Sequence, residues 1–220
     1  MNLLAELRSR RLVAIIRGTD ADAAVRSASA LAAAGIALIE VSLTTPDAFS
    51  VISRARAESG DGVHVGAGTV ITADDANRAA DAGAAFAVTP AITPGLTVLA
   101  ERGIPVLCGA LSPTEVVTAM RQGAAAVKLF PASLGGVPYL KALRDPFPGV
   151  PFVPVGGVDA DAARGYLAAG AAAVGVGSPL VGDAASGGSL EGLQARARRF
   201  LAVANGPAAD DREPGPESGR

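Results

Sequence analysis

LAAAGIALIEV, residues 31–41, contains the pattern from which the rest of the chain is read. An alanine-rich, helix-favouring run stops at Gly35, and the apolar run ALIEVSL begins at residue 37. Glycine ends helices readily because it accepts the left-handed backbone of a helix C-terminus. The same unit returns in DAGAAFAVTP (81–90), RQGAAAVKLF (121–130) and LAAGAAAVGVG (167–177). Strand-like apolar runs start at 12 (LVAIIRG), 37, 63 (VHVGAGTV), 86 (FAVTPAI) and 105 (PVLCGAL). Three more start at 126 (AVKLFPA), 152 (FVPVGGV) and 173 (AVGVGSPL). Between them, helix starts are expected at Thr45-Pro46, at Thr72 with Asp75, at Thr93-Pro94, at Ser112-Pro113 and at Asp159. Glycines 35, 83, 103, 123 and 170 mark helix ends.

Strands that alternate with single helices pair in parallel through right-handed crossovers. Eight such units in a chain of 220 residues predict an α/β protein, a closed (β/α)8 barrel. An open doubly wound sheet is the alternative, but no G-x-G-x-x-G turn follows the first strand in AIIRGTDAD. Residues 2–10 read as an extra N-terminal helix that closes the barrel's bottom. The barrel domain is expected over residues 1–205. The tail from Gly206, GPAADDREPGPESGR, has the composition of a disordered segment.

Half of the residues are hydrophobic and 18% are charged, an ordinary globular balance. A net charge of −2 gives no electrostatic basis for binding nucleic acid or an anionic membrane. No apolar run reaches the roughly 20 residues that span a bilayer. The opening MNLLAELRSRR lacks the order of regions of a signal peptide, and a single cysteine rules out an internal disulfide framework and fits the expected reducing cytoplasm. The single cysteine, Cys108, lies among apolar neighbours and reads as a core residue. The single histidine, His64, rules out a multi-histidine metal site and reads as an outward-facing residue at a strand start. Neither a metal nor a cofactor is expected.

Only two of the 19 basic residues are lysines, Lys128 and Lys141. Lys128 stands inside the apolar run AAAVKLF. A lysine kept there offers what arginine cannot, an amine able to lose its proton and act as a nucleophile. The plainer reading is a strand-end lysine that extends its head to water. The C-terminal ends of barrel strands form the active-site face. Those ends carry Arg17, the segment Glu40 to Thr45, Thr69, Thr89-Pro90, Lys128, Gly156-Gly157 and Gly177-Ser178. Glu40 lies among residues that should be buried, and a buried carboxylate must be paired or protonated. A structural Glu40–Lys128 ion pair would satisfy it, although buried pairs stabilise poorly, which favours a catalytic purpose. The glycines of the last two strand ends either permit tight turns or bare their N–H groups to a phosphate, whose usual site in such barrels lies there.

In combination, AIIRG, IEVSLTTP, GAGTV, VTP, VKLFPA, PVGGV and GVGS resemble the class I 2-keto-3-deoxy-6-phosphogluconate aldolase family. That family includes 4-hydroxy-2-oxoglutarate and 6-phosphogalactonate aldolases, and the resemblance runs from about residue 10 to 204. It implies a homotrimeric barrel that splits a phosphorylated keto-deoxy sugar acid into pyruvate and glyceraldehyde 3-phosphate. Carried over, Lys128 forms the Schiff base, Glu40 shuttles protons, and Thr69 and Pro90 line the pyruvyl pocket. Gly156, Gly157, Gly177 and Ser178 match the phosphate-binding turns. Two positions depart from the gluconate type: Thr44 replaces an arginine that holds the substrate carboxylate, and Val155 replaces a threonine. Both resemble the galactonate branch, and Arg17 becomes the expected carboxylate partner. Cleavage of 4-hydroxy-2-oxoglutarate, a metal-dependent phosphosugar epimerase and a catalytically silent phosphosugar-binding barrel are the competing readings. The lack of a histidine set counts against the epimerase.

Overall fold

A computed structural model describes residues 1–206; the segment from 207 onward, most of the tail expected to be disordered, lies outside them. Eight strands are present: β1 (Leu12–Ile16), β2 (Leu38–Ser42), β3 (His64–Gly68), β4 (Ala87–Val88), β5 (Val106–Ala110), β6 (Ala126–Leu129), β7 (Phe152–Pro154) and β8 (Val174–Val176). The helices preceding β5 are α1 (Leu3–Arg10), α2 (Ala21–Ala33), α3 (Ala48–Glu58), α4 (Ala73–Asp81) and α5 (Gly95–Glu101). After it come α6 (Pro113–Arg121), α7 (Gly136–Arg144), α8 (Ala160–Ala168), α9 (Ser178–Val181) and α10 (Leu190–Ala204). Every strand pair is parallel, in the order β7-β6-β5-β4-β3-β2-β1-β8. The single parallel bridge Val155–Gly175 joins the two ends and closes the ring. The chain is a (β/α)8 barrel, as the repeat predicted.

Alternation along the strands sorts side chains into two cores. Ala14, Ile16, Ile39, Val41, Val65 and Ala67 face outward and pack against the helices. Val13, Ile15, Leu38, Phe86, Val88, Leu107 and Val153 fill the axis, where Leu3 and Leu7 of α1 join them from below. The added N-terminal helix therefore plugs the bottom of the barrel. His64 corrects its expectation: it lies in register with Leu38 and shares the axial side of β3 with Gly66 and Gly68, at the lower rim. The cause is a parity that the sequence around residue 64 does not reveal, because a two-sided apolar strand alternates no polar residues.

The helix-ending glycines 35, 83, 103, 123 and 170 all take positive φ, between 67° and 97°. Thr72–Asp75 and Ser112–Glu115 form complete capping boxes, and Asp159 caps α8. Two expected caps fail. Helix α3 begins from Asp47 in a left-handed conformation, and α5 from Pro94, neither with a side-chain cap. Thr45 and Thr93 are instead used elsewhere: Thr45 Oγ1 accepts from the Gly18 N–H, and Thr93 Oγ1 donates to the Val70 carbonyl.

Candidate active site

The C-terminal ends of the strands surround a cavity of about 460 Å³. Arg17, Glu40, Thr69, Pro90, Lys128, Val155, Gly156, Gly157, Gly177 and Ser178, all singled out from sequence, line it. Thr44 does not; it is exposed on the surface.

Lys128 comes from β6 on the axial side, two residues past Ala126 in the inner core. It is 5% exposed, and its Nζ stands 5.0 Å from the centre of the Phe130 ring. Glu40 occupies the equivalent position on β2, two residues past Leu38, and is 1% exposed. Burial raises the Glu40 carboxyl above the ordinary glutamate range, while the positive charges of Lys128 and Arg17 pull it partly back. No nitrogen–oxygen contact within 4.0 Å joins Lys128 to Glu40; the ion pairs among the described residues all lie on the surface. Glu40 Oε2 is buried and has no hydrogen-bond partner. The ion-pair reading therefore fails on geometry. A buried acid left unsatisfied in a cavity wall costs stability, and such strain collects at functional sites.

The backbone makes room for this arrangement. A Cβ at Gly68, in register with Ser42 on the neighbouring strand, would collide with the Glu40 carboxylate. A Cβ at Gly109 would collide with the Pro90 backbone. Sequence reading missed both glycines, since their need arises only from cross-strand register. It gave no role to Ser42, which it placed on the active rim only within the segment Glu40 to Thr45 and which is fully buried at the end of β2. Its hydroxyl lies 2.8 Å from Thr44 Oγ1 and 3.1 Å from Thr69 Oγ1. Thr69 itself has a φ of 62°, unusual for a β-branched residue.

At the cavity mouth, the N–H groups of Gly157, Gly177 and Ser178 donate to no acceptor among the described residues. Gly156 and Gly157 have φ of 96° and 72°, which turns the chain sharply after β7. The cavity thus has a deep end with an amine and a carboxyl and a mouth with free backbone donors. Among the described residues, no three histidine, cysteine or acidic side chains come together as a metal site, and no helix is long and apolar enough to cross a membrane.

Comparison with known proteins places this chain in a family. The family described as KDPG and KHG aldolase matches residues 3–189. A probable 2-dehydro-3-deoxy-6-phosphogalactonate aldolase of Rhizobium meliloti is 36% identical over 82% of this chain and 86% of its own. A 2-dehydro-3-deoxy-phosphogluconate aldolase of Treponema pallidum is 35% identical over 76% of this chain and 80% of its own. Among solved structures, a KDPG aldolase from Legionella pneumophila, with pyruvate captured as a covalent carbinolamine, superposes with a TM-score of 0.77 at 31% identity. The match covers 91% of this chain and 95% of that one. The chain belongs to the KDPG and KHG aldolase family and is an aldolase.

Proposed function

We propose that this aldolase cleaves a 2-keto-3-deoxy-6-phospho sugar acid to pyruvate and glyceraldehyde 3-phosphate through a Schiff base on Lys128. The observation that carries the reading is the pair Lys128 and Glu40, both buried in one cavity wall without forming an ion pair. An amine and a carboxyl so held are each available to a substrate placed between them.

The uncharged Lys128 amine attacks the C2 ketone, and loss of water gives an iminium. That cation draws electrons from the C3–C4 bond. Ionised Glu40 accepts the proton of the C4 hydroxyl as the bond breaks and the aldehyde departs. The protonated carboxyl then returns the proton to C3 of the enamine, and water releases pyruvate and the free lysine. A carboxyl with a raised pKa suits the return of the proton, because burial makes its protonated form easier to hold than that of an ordinary glutamate. Arg17, exposed at the end of β1, is the charge available to the substrate carboxylate, since Thr44 offers none. The phosphate takes the N–H groups of Gly157, Gly177 and Ser178. No metal or cofactor takes part, because the iminium supplies the electron sink. Val155 and Thr44 match the galactonate type, which favours a 6-phosphogalactonate-derived substrate; the enzyme is further proposed to act as a cytoplasmic homotrimer.

Borohydride added with pyruvate tests the reading. It should fix one three-carbon adduct per chain, on Lys128. With Lys141 as the only other lysine, peptide mapping decides without ambiguity. Lys128→Arg keeps the charge but forms no imine, so it should lose both adduct and cleavage. An adduct on Lys141, or full activity in Lys128→Arg, overturns the Schiff-base mechanism.

A further inference from the structure

We infer that Ser42 is a positioning residue, which orients the Thr69 hydroxyl as a hydrogen-bond donor into the cavity and makes position 44 act on substrate through it. The inference rests on the aldolase reading above and concerns residues to which that mechanism gives no step.

Three hydroxyls form a line from the surface to the cavity wall. Thr44 Oγ1 is 2.8 Å from Ser42 Oγ, and Ser42 Oγ is 3.1 Å from Thr69 Oγ1. Of the three, Thr69 lines the cavity, Ser42 is fully buried behind it, and Thr44 is exposed. A hydroxyl has one proton to donate and two lone pairs to accept with. The Thr44 backbone N–H also points at Ser42 Oγ, at 3.4 Å, and a backbone N–H can only donate. The Thr44 N–H thus takes one lone pair of Ser42 and leaves the Ser42 proton free to go to either threonine. The ligand decides between them: the keto and carboxylate groups of the substrate offer only acceptors, so with substrate bound the Thr69 proton turns to the cavity, Ser42 donates to Thr69, and the Thr44 hydroxyl donates to Ser42. A chain of hydroxyls oriented this way is also more polarised than a lone one.

The backbone supports the same conclusion. Thr69 sits at a φ of 62°, a conformation that glycine adopts freely and a β-branched residue rarely does. The neighbours hold it there: the Leu43 N–H donates to the Gly68 carbonyl at 2.8 Å, and the Val70 N–H to the Val88 carbonyl at 3.1 Å. A threonine in that place aims its hydroxyl where the strand alone would not. Ser42 then fixes the direction of its proton.

The test is a double-mutant cycle on kcat/KM for aldol cleavage, with pyruvate adduct formation measured in every variant. Ser42→Ala should raise KM and lower kcat/KM about tenfold, the scale of one neutral hydrogen bond, with little change in kcat. Thr69→Val keeps the shape and the branched Cβ but removes the hydroxyl, and should lose more. Ser42→Ala should add nothing in the Thr69→Val background, because its effect passes through that hydroxyl. Thr44→Val, on the surface and harmless to folding, should show a smaller loss that also vanishes with Ser42→Ala. Additive losses, or an unaltered KM in Ser42→Ala, overturn the inference while leaving the aldolase reading in place. A wild-type chain that forms no pyruvate adduct overturns both.

Discussion

Glu40 concentrates the physical conflict of this molecule in one side chain. It is buried, its Oε2 has no partner, and the two nearby cations only partly offset the cost of its charge. Two consequences follow from its proposed place in the cycle. Glu40→Gln removes the proton shuttle but not the nucleophile. Turnover should fall by roughly 10² or more, while borohydride still fixes pyruvate on Lys128. Cleavage at the wild-type rate would make Glu40 structural. The pH profile gives a second check. Glu40 must be ionised to take the C4 hydroxyl proton, so cleavage fails as falling pH protonates it. Because its pKa is raised, the acid limb of the kcat/KM profile should lie above the ordinary glutamate value of 4.5, and the limb should vanish in Glu40→Gln. A limb at or below that value would mean that burial does not set the group's titration.

Among the elements, α1 shows how far local pattern reaches and where it stops. Its two buried residues, Leu3 and Leu7, sit 2% and 0% exposed in the axial core, closing the floor under the strands. Leu7→Ala should cost about 2–5 kcal/mol, as large-to-small changes in a packed core do, measured by denaturant unfolding. Since the active face is at the other end of the barrel, kcat per folded molecule should stay unchanged; a parallel loss of both would show that the floor shapes the site. The helix–glycine–strand repeat was readable because each unit is stabilised by chemistry within a few residues of itself. That covers the capping boxes at Thr72 and Ser112 and the glycines after the helices. The start of α3 was not readable: Thr45-Pro46 looks like a cap, but Thr45 is drawn 27 residues back to Gly18, and Asp47 takes over. The roles of Gly68, Gly109 and Ser42 were unreadable for the same reason. Their roles come from what the adjacent strands bring against them, the Glu40 carboxylate, the Pro90 backbone and the Thr69 hydroxyl, and no local pattern encodes a neighbour on the next strand.

At the scale of the whole barrel, the axis runs from an apolar floor through a layer with an amine and a carboxyl to a mouth of free backbone donors. The proposed substrate orientation follows that gradient: the keto carbon down at Lys128 and the phosphate at the glycine turns. Gly177 allows this to be tested without disturbing the fold. A Cβ there would meet only the Ile15 carbonyl and Cβ, at 3.8 and 4.0 Å, ordinary contact distances. Packing therefore does not demand glycine at 177, and a methyl group would be felt chiefly by a ligand that approaches the backbone. Gly177→Ala should unfold at nearly the wild-type temperature. Its KM for the 6-phosphorylated substrate should rise several-fold, with a smaller change for an unphosphorylated keto-deoxy acid. Running both substrates separates the two ends of the cavity, because the unphosphorylated one still reaches Lys128 and Glu40. Equal losses on both would place the phosphate elsewhere, and an unchanged KM on both would show that the mouth does not contact it.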